Sequence, residues 1–247
     1  MIREAALGES MAEYDDHKSK NLKRFELLYE VSRAIASNRY LEEILLLVVG
    51  MTADLMGSKI CSLMLLDEKK QELVIKATQS LSEHYRTKPP IKVGESVCGR
   101  AVQKKIPITV RDVMSESDYN YPDIAKMEGL RSLVSVPMMI KSRVIGVLNC
   151  YTISEHEFSE EEIRLLTGVA NQAAVAIENT NLLAEKIAAV EALETRKRVE
   201  RAKGILMKRH SIGETEAYRM LQKQSMDKSH SLKEIAEAII LSEEMAN

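Results

Sequence analysis

Cations crowd the stretch that follows residue 197: Arg201, Lys203, Lys208, Arg209, Arg219, Lys223 and Lys233, with the ring of Tyr218 among them. From residue 196 onward there are eleven Lys or Arg against eight Asp or Glu. Residues 1–195 hold 24 against 29, so a chain of net charge −2 is polarised toward one basic end. Phosphates of a nucleic acid require such a footprint. Lys203, Lys208, Arg209, Arg219 and Lys223 are the residues expected on phosphates, with Arg201 and Lys233 beside them. The triplet Arg196-Lys197-Arg198 reads equally well as a solvated helix face. Tyr218 suits stacking on a splayed base, or capping of a small core beside Leu221.

A second set of reactive or polar residues lies upstream. Cys98 falls near a predicted helix start beside Gly99-Arg100, where a thiolate is favoured; its other reading is a small buried hydrophobe. Tyr119 and Tyr121 stand in the polar loop Ser117-Asp118-Tyr119-Asn120-Tyr121-Pro122, either as binding residues or as pins for the loop. His84, His156 and His210 share no metal-ligand spacing with one another or with the cysteines. No Gly-rich phosphate loop, His-Glu-x-x-His pair or nucleophile elbow occurs, so no enzyme activity is expected. Glu160-Glu161-Glu162 sits at a helix N-terminus, where it complements the macrodipole.

These residues must be positioned by two different kinds of element. Toward the C-terminus the pattern is helical. Ala217, Met220 and Leu221 share one face, Ser231 and Glu234 form a capping-box pattern, and Ile235, Ala238, Ile239 and Ala246 follow as an apolar stripe. Toward the N-terminus, residues 1–20 read as a polar tail. A helical stripe follows at Leu22, Phe25, Leu28-Tyr29, Ser32 and Ile35, then a helix from Leu41 to about Met56 closed by Gly57. The period then changes to strands: Ile60–Leu66 and Leu73–Ala77 around a polar turn, a short strand at Pro107–Val110, and Leu133–Ile140 with Arg143–Tyr151 around Lys141-Ser142. Central strands with helices at both ends predict an α+β sandwich.

The run Arg201-Ala202-Lys203-Gly204-Ile205-Leu206-Met207, then Glu216-Ala217-Tyr218 and Leu221, then Leu232, Ile235-Ala236 and Ile239-Ile240, resembles the ANTAR family of transcription antiterminators. Gly213 departs from it, standing where the family often has a capping Ser. The resemblance implies binding to paired hairpins in a nascent leader RNA, so that a terminator is disfavoured and transcription continues. The RNA contacts it suggests are Arg201, Lys203, Lys208, Arg209, Tyr218, Arg219, Lys223 and Lys233.

Residues 21–183 resemble a GAF domain. The resemblance rests on Val93-Gly94-Glu95-Ser96-Val97-Cys98-Gly99-Arg100-Ala101-Val102, Leu130–Pro137, Val144-Ile145-Gly146-Val147-Leu148, Phe158–Ile163 and the helix Leu165–Leu183. It implies a sensor of a small molecule or redox signal, with a pocket on one sheet face walled by Ser80–Met127. Cys98, Arg100, Tyr119, Tyr121 and Ser135 are the candidate pocket residues. Asn149 and Phe158 match the pattern of cyclic-nucleotide-binding members, but Cys150, Glu162 and Ile163 depart from it. Cys98 lacks the nearby His of bilin-binding members, with His84 distant. No metal, haem or bilin motif is present, and the cofactor is unknown. Asp67 ends a strand but lacks the acidic pair of a phosphoacceptor receiver.

A helix with few breakers joins the two, from Glu162 to about Lys208. Ala176, Thr180, Leu183, Ile187 and Val190 follow the four-three spacing of a coiled-coil seam; the register slips and resumes at Ala192, Thr195, Val199, Ala202 and Leu206. A parallel homodimer is expected. The fold class is thus an α+β GAF-type antiparallel sheet flanked by helices, joined through a long coiled-coil helix to a three-helix ANTAR bundle, with linker and ANTAR domain together spanning residues 184–247. The function expected is a signal-responsive antiterminator; the alternative is a GAF sensor whose bundle contacts a protein rather than RNA. Cys61, Cys98 and Cys150, far apart in sequence, suit a reducing cytoplasm. No secretory signal or membrane-spanning run is read, so no membrane partner is expected.

Overall fold

A computed structural model describes residue 26, residues 29–33 and residues 41–245. The predicted tail at 1–20, Leu22, Phe25, Leu28, Ile35 and Ala246 lie outside the described residues. Two compact units divide between Thr180 and Asn181.

The first unit opens with α1 (Leu41–Met56), ended by Gly57 in the left-handed conformation that residue tolerates best. Next come β1 (Ile60–Asp67), β2 (Glu72–Thr78), α2 (Glu83–Arg86), β3 (Ile91–Lys92), α3 (Ser96–Lys104), β4 (Ile108–Val110) and α4 (Pro122–Glu128). The hairpin β5 (Ser132–Ile140) and β6 (Arg143–Thr152) turns at Lys141-Ser142 as predicted. The six strands pair antiparallel in the order β3-β2-β1-β6-β5-β4. The class is α+β.

Strand alternation sorts the sheet residues into two layers. Cys61, Leu63, Val134, Val136, Leu148 and Cys150 pack with Leu45, Val48 and Val49 of α1 and with Leu166, Ala170 and Ala173 of the next helix. Val31 is fully buried in this layer, whereas Tyr29 and Ser32 are exposed, so the inward face of that segment is turned from the predicted stripe. The opposite layer is closed by α2, α3 and α4 and their loops. Gly146 is needed where β6 meets β1: a Cβ there would lie 2.2 Å from the Met64 carbonyl oxygen. Gly99 plays the same part in α3, since a Cβ would lie 2.4 Å from the Lys92 carbonyl oxygen.

Helix α5 (Glu160–His210) is continuous through the division between the units. Its start, Leu165 to Ile177, is buried against the sheet, and its end enters the second unit with α6 (Glu214–Lys228) and α7 (Leu232–Glu244). Val199, Ala202 and Leu206 there join Ala217, Leu221, Ile235, Ala236 and Ile240 in one small core. Between these parts, residues 181–194 are all exposed. Beyond the register slip at Ala192, the later stripe residues Val199, Ala202 and Leu206 pack within their own chain.

On α7 the inward face is Ile235, Ala236 and Ile240; Ala238, predicted on it, is exposed. Leu221 is the largest fully buried side chain of the bundle. Leu221→Ala should cost about 2–5 kcal/mol, a large share of what so small a core can supply. The expected result is faster amide exchange throughout α6 and α7 with the sheet amides unchanged; slow exchange in α6 would show that Leu221 does not hold the bundle.

Candidate nucleic-acid interface and sensor face

The bundle is held by its caps as well as its core. Ser231 Oγ accepts from the Glu234 amide at 3.2 Å while the Glu234 carboxylate accepts from the Ser231 amide at 2.7 Å, the predicted capping box. The Ser231 amide, and then its hydroxyl, hold the Glu234 carboxyl below its ordinary range. Gly213 is the N-cap of α6 without a side-chain bond.

Ion pairs divide the predicted cations into two groups. Arg201 reaches Glu244 at 2.7 Å, and Arg209 and Arg198 pair with Glu243 and Glu237, so α7 neutralises this side of α5. Lys203 differs most from its expected role on a phosphate. It is only 7% exposed, with its ammonium 2.7 Å from Glu214 and 2.9 Å from Glu200. The Glu214 and Glu200 hydrogen bonds raise its pKa, and it ties α5 to the first turn of α6. Lys208, Arg219, Lys223 and Lys233 make no ion pair among the described residues. Arg219 and Lys223 stand one turn apart on α6, both exposed. Tyr218 is 38% exposed and is not part of the core. It helps to line a cleft of about 710 Å³ with Thr195, Val199, Lys203, Thr215 and Leu232.

On the sheet, the predicted pocket residues separate similarly. Cys98 is buried, and that burial pushes its thiol up despite the opposing pull of Lys88. Desolvation therefore opposes the thiolate that a helix start favours. Arg100 turns to Glu116, and its other nitrogen lies 3.5 Å from Asp118, which latches the loop bearing Tyr119 and Tyr121. Tyr119 donates to the Tyr151 hydroxyl at 3.4 Å, and Tyr121 to the Pro89 carbonyl at 2.9 Å. Ser135 is fully buried and donates to Asn149 Oδ1 at 2.7 Å.

Two neighbours, Tyr85 and Lys88, were not singled out in the sequence, and Asn149 was singled out only for its match to a cyclic-nucleotide pattern. Tyr85 is fully buried, its hydroxyl 2.9 Å from Ser62 Oγ and its ring edge-on to Tyr151. Lys88 places its ammonium 4.2 Å from the Tyr85 ring centre and 5.9 Å from that of Tyr121. Burial lowers the Lys88 pKa to about 8, opposed in part by Cys98. Asn149, fully buried, leaves Nδ2 without a partner. The fixed alternation of β6 sends Asn149 and Tyr151 to one face. On the other face Cys61 and Cys150, opposed on β1 and β6, bring their sulfurs to 3.5 Å. No group of three or more potential metal ligands occurs among the described residues. No helix among them is long and apolar enough to cross a membrane.

Comparison with known proteins gives these two units their class. The family model of the GAF domain matches residues 38–178 and that of the ANTAR domain residues 188–240. The chain belongs to the GAF family and carries an ANTAR domain after its GAF domain. Over 63 residues it is 41% identical to the transcriptional regulatory protein PdtaR of Mycobacterium tuberculosis, covering 26% of this chain and 31% of that protein. Over 166 residues it is 28% identical to the Nif-specific regulatory protein of Herbaspirillum seropedicae, covering 65% of this chain and 30% of that protein. The chain thus spans about a third of the length of these curated relatives. Among solved structures, the GAF domain of a phosphoenolpyruvate-protein phosphotransferase from Coxiella burnetii superposes with TM-score 0.61 at 23% identity, covering 66% of this chain and 98% of that one. The free methionine-R-sulfoxide reductase of Neisseria meningitidis, solved with its substrate, gives 0.57 at 24%, covering 67% and 93%. At these identities the likeness concerns the fold.

Proposed function

We propose that the chain is a transcription regulator of the antiterminator class: a homodimer whose ANTAR bundles bind paired hairpins in leader RNA under control of the GAF domain. The observation that carries this reading is the sorting of the bundle's charges. Acids neutralise Arg198, Arg201, Lys203 and Arg209, while Lys208, Arg219, Lys223 and Lys233 keep their charge for a polyanion. The ring of Tyr218, 38% exposed and lining the cleft with Lys203, suits a splayed loop base. Dimerisation is supported by Leu183, Ile187 and Val190, each more than half exposed on a helix face that no described residue covers. No catalytic step is assigned. Exposed Met226 and Leu241 favour a second reading, in which the bundle docks on a protein.

Electrophoretic mobility with a two-hairpin leader RNA separates the readings. RNA binding that weakens steeply with salt is expected under the first. A chain that leaves the RNA unshifted at low salt would leave the protein-docking reading in its place.

A further inference from the structure

The covered face of the sheet carries a buried donor that the fold itself does not satisfy. Ser62, Asn149 and Ser135 are register partners across β1, β6 and β5, so they form a row on one face. All three are fully buried. Ser135 satisfies Asn149 Oδ1, and Nδ2 remains an unpartnered donor. Such a donor ordinarily costs about 1–3 kcal/mol in a dry interior, so it calls for a partner. Tyr85 continues the row upward: its hydroxyl meets Ser62, and its ring carries the Lys88 ammonium. That ammonium has no carboxylate within ion-pair distance among the described residues. Glu95, exposed, acts on Tyr121 rather than on the lysine. The hydroxyls of Tyr85, Tyr119 and Tyr151 are held protonated by burial, so none supplies a negative charge.

We propose that this face is a binding site for a small monocarboxylate, whose oxygens take the Lys88 ammonium and the free Asn149 amide while its apolar part lies among the tyrosine rings. A donor-rich wall with one cation and no acid selects an acceptor-rich anion over a cation or a neutral amide. One ammonium matches one carboxylate. The aromatic walls favour a flat or apolar remainder. The loop of Tyr119 and Tyr121, tied by the Arg100–Glu116 pair, covers this face. The proposal deepens the sensor reading and rests on it only for the consequence of binding, not for binding itself.

The test uses the full chain and three probes, acetate, pyruvate and benzoate, each against its amide and against chloride at equal ionic strength. With no Trp in the chain and four of its eight Tyr at this site, near-ultraviolet circular dichroism is sensitive to its occupation. At least one carboxylate should raise the melting temperature saturably and perturb the tyrosine signal, with its amide inert. Lys88→Gln should weaken that carboxylate by roughly ten- to a hundredfold, the loss of one charge-assisted hydrogen bond. Lys88→Arg should keep most of the binding, and Asn149→Ala should weaken it if that variant folds. The site is overturned if no carboxylate exceeds chloride, if the amides act equally, or if Lys88→Gln binds as wild type. A carboxylate that binds without altering affinity for leader RNA would uphold the site and count against GAF control of the ANTAR domain.

Discussion

Replacing Lys208, Arg219 and Lys223 together by Ala should lower the affinity for a two-hairpin leader RNA by about a hundredfold. It should also flatten the dependence of log K on log salt by about three. Each cation releases roughly one condensed counterion when it neutralises a phosphate. A hundredfold over three contacts is somewhat under about 1 kcal/mol each. The ion-paired cations give the contrast. Arg201→Ala and Arg209→Ala remove charges already opposed by Glu244 and Glu243, so each should alter RNA affinity less than any one of the three. A triple variant whose salt slope equals that of wild type would take the phosphate contacts off these residues.

The double change Ile187→Lys and Val190→Lys should convert a dimer into a monomer, raising its dissociation constant at least about a thousandfold. Both side chains are about half exposed in one chain, at 52% and 51%, so the monomer tolerates lysine there. A coiled-coil seam does not: two cations per chain would be stripped of water beside their symmetry mates, at several kcal/mol in all. Light scattering gives the mass directly. A dimeric mass for the variant, at concentrations where wild type is dimeric, would place the interface elsewhere; exposed Tyr29 marks the next surface to alter.

What the sequence disclosed follows the range of the interactions involved. The β5–β6 hairpin was legible because two alternating runs flank Lys141-Ser142, and the Ser231–Glu234 cap because both partners lie within one turn. Helix α5 was legible because nothing from Glu160 to His210 breaks it. By contrast α2, at four residues, and β3, at two, are too short to show a period. The row Ser62–Asn149–Ser135 exists only once β6 lies between β1 and β5, which no local pattern states. The partners of the candidate site residues were hidden for a related reason. Lys203 and Arg100 carry the charges expected of binding residues, but acids distant in sequence or on a separate loop, Glu214 and Glu116, occupy them. Cys98 has the favourable helix start, and its burial outweighs it.

The enclosure of Lys203 has a chemical consequence. Amine-acylating reagents attack a free, accessible amine, and an ammonium shielded by α5 and α6 and held between Glu200 and Glu214 offers none. Lys208 and Lys223, on the exposed surface, should be acylated readily. A label-protection map of the bundle, made with and without RNA, therefore carries its own internal standard: Lys203 stays dark in both states while the bundle is folded. Labelling of Lys203 then reports an opened bundle, and protection of Lys208 or Lys223 with Lys203 still dark reports an occupied surface.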